Sequence, residues 1–321
     1  MATAFLTGGA GFIGSRLARL FINRGDRVIV FDTFKQYIIP DPAAKMPNLL
    51  IRLKDIIDHI ELIQGDTLEK DYLRRTLARI KPDIIVHMAA LPLAFMAIEH
   101  SGETCQSILG STVNLLEIMR DFEHPCRLVY TSSSMVYGNF VTEQVTEESP
   151  NDPKELYGSF KLAGEIVARG FMKCYGLDIS IVRPSAVYGP YDSNQRVIQK
   201  FISSALRKET LKIDGDGSMK LDFTYIDDTA QGLFLAATHP NAKGETFNIT
   251  RGHGRSLKEV LNLIQKEIPT LNIEYGPVPS YMPKRGTLEI DKARILLGYE
   301  PKWNLEQAIP QYIEHLRHHP I

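Results

Sequence analysis

Three glycines, Gly8, Gly11 and Gly14, stand at three-residue intervals in the stretch TGGAGFIG (residues 7–14). A glycine inside a regular element costs about 0.5–1 kcal/mol relative to alanine, so a spaced trio calls for a tight turn or a close approach to a ligand. The apolar run TAFLT precedes it. Ile13, Leu17, Leu20 and Phe21 follow at helical spacing, and the next β-branched run, RVIVFD, ends on Asp32. Strand, glycine turn, helix, strand and acid in this order make a dinucleotide cradle. The first glycine turns the chain, the second lets backbone N–H groups approach a pyrophosphate, and the third lets the helix pack close to the sheet. The helix start, at Phe12 and Ile13, offers unpaired N–H groups and a partial positive charge. Asp32 would accept hydrogen bonds from the adenosine ribose hydroxyls and repel a 2′-phosphate, which favours NAD over NADP. Lys35 close by works against that choice.

A second constellation is Tyr157 and Lys161, four residues apart and so on one face of a helix. The chain has 13 tyrosines, and roughly one such spacing with a lysine arises by chance, so the pair means little alone. Its position gives it weight. The pair opens the helix after the run RLVYTSSS, where a parallel sheet presents its carboxyl edge to ligands. A neighbouring ammonium and a positive nicotinamide would favour the phenolate of a tyrosine whose ordinary pKa is near 10. Tyr157 can then take a hydroxyl proton as hydride leaves the same carbon. Lys161 would also hold the nicotinamide ribose, and Ser133, at the end of the preceding strand, would bond the reacting hydroxyl and polarise the carbonyl formed.

The elements that must position these groups repeat one rhythm. HIELIQGD, LEKDYLRRTLARI, PDIIVHMAA, a long helical region through STVNLLEIMRDF, CRLVYTSSS, a helix over 157–175 and DISIVRP alternate strand with helix. This pattern predicts an α/β protein, a Rossmann-type doubly wound parallel sheet, with a smaller interleaved C-terminal substrate lobe. Residues 1–183, with about 218–243, form the expected NAD-binding domain; 184–217 and 244–321 form the expected substrate lobe. After Pro184 the rhythm breaks, KIDGDGSMKLDFTYIDD reads as hairpin-like, and GPVPSYMP (276–283) is rich in proline.

Composition narrows the classes. The 321 residues are 44% hydrophobic, and 37 basic residues nearly balance 38 acidic ones, so nothing asks for nucleic acid or an acidic membrane surface. No apolar run approaches the roughly 18 residues that span a bilayer, and the first residues run straight into the glycine motif. The expectation is a cytoplasmic protein with no membrane contact. Cys105, Cys126 and Cys174 are odd in number and widely spaced, which reads as reduced, buried thiols. His315, His318 and His319 read as a solvated chain end, and no metal site is expected.

The motifs resemble those of the extended short-chain dehydrogenase/reductase superfamily. QGD (64–66), HMAA (87–90), TSSSMVYG (131–138), YGSFK (157–161), RPSAVYGP (183–190), GDG (215–217) and DFTYIDD (222–228) fall in the order of its NAD-dependent sugar epimerase/dehydratase family, over nearly the whole chain. The resemblance implies that Asp66 bonds the adenine, that Ala89 and Ala90 line the cofactor, and that the substrate is a nucleotide sugar. It also implies a homodimer formed through helices flanking the active strand.

Within that family, dehydratases and decarboxylating members carry acids between the hydroxyl residue and VYG. Here those positions are Ser134 and Met135, so simple epimerisation, at C4, is expected, with hydride held on bound NAD. Rival readings are a dehydratase, a net dehydrogenase or reductase, and a non-catalytic cofactor sensor; the last typically lacks the tyrosine or lysine. Family members usually carry an arginine before the DF run and an asparagine before VYG, where this chain has Leu221 and Ala186. Lys220, Arg285, Lys284 and Arg251 are candidates for the diphosphate, Ser134 for the sugar, and Val197, in RVIQKFI, for the segment packing on the base.

Overall fold

The apolar runs become one seven-stranded, all-parallel sheet in the computed structural model, which describes residues 1–35, 49–91, 94–278 and 283–319. Its strands are β1 (Thr3–Thr7), β2 (Arg27–Asp32), β3 (Ile60–Gln64), β4 (Ile84–His87), β5 (Arg127–Thr131), β6 (Asp178–Pro184) and β7 (Thr246–Ile249). They lie in the order β3-β2-β1-β4-β5-β6-β7, so the winding reverses between β1 and β4 and opens a crevice at the carboxyl ends there.

Side-chain alternation sorts each strand between two cores. On one face Ala4, Leu6, Val28, Val30 and Val86 pack with helix α1 (Phe12–Asn23); on the other Phe5, Ile29, Phe31 and Ile85 pack with α2 (Lys70–Ile80) and α3 (Ser111–Arg120). Burial on both faces is why these strands read as unbroken apolar runs. Between β5 and β6 runs α4 (Leu156–Tyr175), which ends at Gly176 in a left-handed conformation, φ 69°. The helical region over 94–120 breaks at His100: Ala94–Glu99 is one piece, and from Ser101 the chain stays helical through a π segment at Gln106–Gly110 into α3.

A third core lies beyond the crevice. Helices α5 (Val197–Leu206), α7 (Leu257–Glu267) and α9 (Leu305–His318) gather Phe201, Ile202, Val260, Ile264, Ile309 and Tyr312. Phe12, from the glycine loop, is buried in this core, so the loop is clasped between the two lobes. Helix α6 (Ile226–Thr238), in contrast, packs against α1 and the first face of the sheet.

Two parts of the expected division fall elsewhere. Thr246–Ile249, inside the range assigned to the substrate lobe, is the sheet's outer strand, and α8 (Asp291–Leu297) packs on it through Ala293 and Leu297. Conversely, Phe223 and Tyr225, assigned to the cofactor domain, belong to the third core.

The hairpin reading of KIDGDGSMKLDFTYIDD is corrected as well. Thr210–Asp214 pairs in parallel with Asn272–Gly276, Lys220–Leu221 antiparallel with Arg255–Ser256, and Thr224–Tyr225 in parallel with Val187–Tyr188. Gly215 and Gly217 do turn the chain at positive φ, but buried Leu211, Ile213 and Phe223 seek partners distant in sequence, and burial decides the pairing. Of the thiols, Cys105 and Cys126 are half-buried while Cys174 is exposed on the last turn of α4. His318 and His319 are exposed, but His315 is half-buried against Tyr191, ring centroids 4.5 Å apart. The proline-rich stretch 276–283 falls partly, at 279–282, outside the described residues. No described helix is long and apolar enough to cross a membrane.

Candidate active site

A cleft of about 400 Å³ runs along the carboxyl ends of the strands. One wall is the glycine loop. Gly8 takes φ 69°, and a side chain there would put Cβ 2.9 Å from the Ala89 amide nitrogen; at Gly14 it would stand 2.5 Å from the Gly8 carbonyl oxygen. The first glycine therefore answers to β4 and the third to helix–strand packing. Gly11 starts α1 with no side-chain cap and no acid follows in the first turn, so the N–H groups at Phe12 and Ile13 face the cleft without a protein anion.

At one end lies Asp32. Its carboxylate accepts the Ala10 N–H at 3.0 Å and the Phe34 N–H at 2.9 Å, and burial holds its pKa above the ordinary value against those bonds. Asp66 accepts the Leu68 N–H, and the Lys35 ammonium stands 3.5 Å from its other oxygen, so Lys35 is directed to Asp66. Ala89 and Ala90 line the cleft after β4. His87, at the end of β4, bonds Thr7 and Ser111 and is pushed down to about 3 by burial and by Lys161, which keeps it neutral.

At the other end the structure brings Ser133, Tyr157 and Lys161 together on the lining. Ser133 leaves β5 in extended conformation, and its Oγ accepts the Met135 N–H at 3.2 Å, starting the short turn Ser134–Tyr137. Tyr157 sits in the first turn of α4, where the Glu155 carboxylate caps the helix by accepting the Tyr157 and Gly158 N–H groups at 2.7 Å each. Lys161 donates to the Thr131 carbonyl at 2.7 Å, and its ammonium lies 5.8 Å from the centre of the Tyr157 ring.

Burial dominates both groups. It pushes Tyr157 up to about 12, against the pull of Arg196 and a Ser133 hydrogen bond, and pushes Lys161 down to about 8. The expected phenolate is therefore not made by the chain alone; a further positive charge in the cleft must supply the rest.

Several lining residues had no sequence signal. Arg52 reaches from the segment before β3 to the Tyr191 carbonyl, 3.0 Å, and the Ser193 hydroxyl, 2.6 Å; Arg196 bonds Asp192 at 2.6 Å and covers the Phe12 ring. Glu155 was findable, as an acceptor just before a helix start. Four expected substrate residues do not line this cleft: Ser134, behind Met135 and bonded to Arg285; Arg285 itself; Val197, packed against the third core; and Lys220, exposed on its short strand.

A doubly wound parallel sheet with a glycine-loop crevice and a Ser–Tyr–Lys group at its carboxyl edge defines a Rossmann-type dinucleotide-binding protein. Comparison with known proteins narrows this. Residues 4–250 match the NAD dependent epimerase/dehydratase family, and the chain belongs to it. It is 29% identical to UDP-glucose 4-epimerase of Mycolicibacterium smegmatis, over 97% of each chain, and 28% identical to dTDP-glucose 4,6-dehydratase of Xanthomonas campestris, over 96% of this chain and 91% of that protein. The solved UDP-glucuronic acid 4-epimerase of Bacillus cereus, in complex with UDP-glucuronic acid and NAD, superposes with a TM-score of 0.89 at 26% identity, covering 98% and 99% of the two chains.

NAD is thus the cofactor, and the residues present fit it. The uncapped start of α1 suits a pyrophosphate, and the Thr131 hydroxyl, buried on the lining with no partner among the described residues, is a bond waiting for a ligand.

Proposed function

We propose that the protein is a nucleotide-sugar epimerase acting at C4 through a transient 4-keto sugar. The observation that carries this reading is the pair of side chains after Ser133. Ser134 offers only a hydroxyl and Met135 only a thioether, so the turn beside the reacting centre carries no carboxylate to remove or return a C5 proton, as loss of water requires. The nearby Glu155 carboxylate is engaged with two backbone N–H groups.

In this reading Tyr157 receives the proton of the 4-hydroxyl and later returns it, Ser133 holds that oxygen, and Lys161 steadies the phenol and the nicotinamide ribose. NAD, when bound, supplies a reversible hydride acceptor. Net change requires the keto sugar to turn over in the cleft before the hydride comes back, so the cofactor stays bound. Asp32 selects NAD through the ribose hydroxyls, and Asp66 holds the adenine. The same reading includes a homodimer; Phe95 and Ile98, with Leu156 and Ile166 on α4, support it as exposed apolar side chains on the helices that flank β5.

The test is to incubate the NAD-loaded protein with UDP and dTDP sugars in deuterated water and analyse products by mass and NMR. Equal mass, no accumulating NADH and no deuterium at C5 are expected. A product lighter by one water, about 18 mass units, or labelled at C5 overturns the epimerase reading.

A further inference from the structure

Behind the Ser–Tyr–Lys group lies an ion cluster shut off from water. Glu165, one turn past Lys161 on α4, and Arg183, on β6, are both fully buried. One Glu165 oxygen accepts the Ser132 hydroxyl at 2.5 Å and the Arg183 Nε–H at 2.9 Å; the other accepts a terminal nitrogen of Arg183 at 2.6 Å and one of Arg169 at 3.0 Å. Donors from β5, β6 and α4 itself thus converge on one carboxylate. Arg183 carries the contact onward. Its other terminal nitrogen donates to the Glu147 carbonyl at 3.3 Å, and its guanidinium lies 4.7 Å from the centre of the Tyr137 ring, at the end of the turn that Ser133 opens. The Tyr137 hydroxyl donates in turn to Asn248 Oδ1 on β7 at 2.7 Å.

A buried ion pair is a poor device for stability alone, because apolar side chains of similar volume often hold as well or better. This one stands where the reacting group is carried. Two ties join α4 to the end of β5, Lys161 to the Thr131 carbonyl and Glu165 to the Ser132 hydroxyl, and Ser133 is the next residue out.

Charge points the same way. The groups facing the Lys161 ammonium are His87 from β4, the Thr131 carbonyl and the Tyr130 ring from β5, and Tyr157 and Glu165 from α4; of these only Glu165 is negative. Burial pushes Lys161 down to about 8, and Glu165 opposes it. Glu165 itself stays ionised: burial acts to raise its pKa, but Arg183, Ser132 and Arg169 hold it below the ordinary carboxylate value.

We propose that Glu165 is a positioning residue for the proton transfer: anchored by Arg183, it fixes the Ser133 end of β5 against the Tyr157–Lys161 face of α4 and keeps a negative charge behind the Lys161 ammonium. It does not line the cleft, so it acts through Ser132 and Lys161. The inference rests on the roles proposed above for Ser133, Tyr157 and Lys161, and is indifferent to which sugar is taken.

The experiment measures kcat and KM with the UDP and dTDP sugars, NAD retention, and unfolding of the apoprotein from about pH 6 to about 10.5, in the unaltered protein, Glu165→Gln and Ser132→Ala. Glu165→Gln keeps the shape and removes the charge. With NAD retained, its kcat should fall at least about tenfold while KM moves less than about threefold. The rise of stability with pH that comes as Lys161 loses its proton in the folded chain should begin below pH 8 in this variant, and near 8 in the unaltered protein. Ser132→Ala cuts the tie to β5 and leaves no charge unpaired, so kcat should fall by a smaller factor with the pH onset in place. If Glu165→Gln does not retain NAD, Glu165→Gln combined with Arg183→Met, which takes both charges out together, replaces it under the same criteria. Unchanged kcat in Ser132→Ala or in the Glu165 variant overturns the inference. So does an onset that stays near pH 8 in the Glu165 variant, because that marks the pair as an anchor of the fold alone. If the unaltered protein turns over no sugar, the proposed function falls and takes this inference with it.

Discussion

At the scale of single residues the decisive group is Tyr157. Tyr157→Phe removes one hydroxyl from a helix that otherwise packs unchanged, so NAD binding and the melting temperature should hold while kcat falls by about 10²–10⁴. Steady-state assays beside a cofactor titration check this, and Ser133→Ala should lose less because the proton acceptor remains. Lys161 supplies a pH signature. Its pKa is lowered from an ordinary 10.5 to about 8, so between those values the unfolded chain holds more protons than the folded one. Stability of the apoprotein should therefore gain a rising component from pH 8 to 10.5 that is absent from Lys161→Met, read by denaturant unfolding across that range. The glycines, Asp32, Tyr157 and Lys161 were legible because fixed chemistry demands fixed spacing. Arg52 and Arg196 were not, since nothing local separates a cleft-lining arginine from a solvated one. Arg285 was singled out for its charge, but only the fold shows that it turns away from the cleft lining to bond Ser134 and Ser185.

At the scale of elements, α4 joins stability to chemistry. Glu155→Ala removes the cap from the two N–H groups that begin with Tyr157 itself, at a cost of about 0.5–2 kcal/mol. The freed first turn carries Tyr157, so kcat should drop more than KM rises; unfolding curves and initial rates together test it. Strands β1, β2, β4, β5 and β6 could be read from sequence because a strand buried on both faces is a plain apolar run, and the half-exposed edge strand β3 by its alternation of apolar and polar residues. The seventh could not. Thr246–Ile249 has only four residues, and although α6 just before it packs on the sheet, the strand it pairs with, β6, lies more than sixty residues earlier in the chain. The same cause defeated the hairpin reading, where two-residue strands take whichever partner the third core brings to them.

At the scale of the whole molecule, the two lobes are interleaved. β7 and α8, from the last third of the chain, complete the sheet and one of its cores, while Phe12, from the first turn of α1, lies in the opposite lobe's core. A chain cut after residue 243 would leave β6 as an open parallel edge and strip Phe247, Ile249 and Leu297 from the first core, each side chain worth about 1.5–3 kcal/mol when fully buried. Such a fragment should fail to unfold cooperatively and fail to retain NAD, measured by thermal melts and cofactor titration. Interleaving also governs inheritance. A catalytic core that is finished by the segment carrying substrate contacts cannot exchange that segment for another by recombination without losing its own outer strand. New specificities on this scaffold must arise by replacing residues in place, and Leu221 and Ala186, which differ from the residues the resemblance leads one to expect, are the positions to test for it.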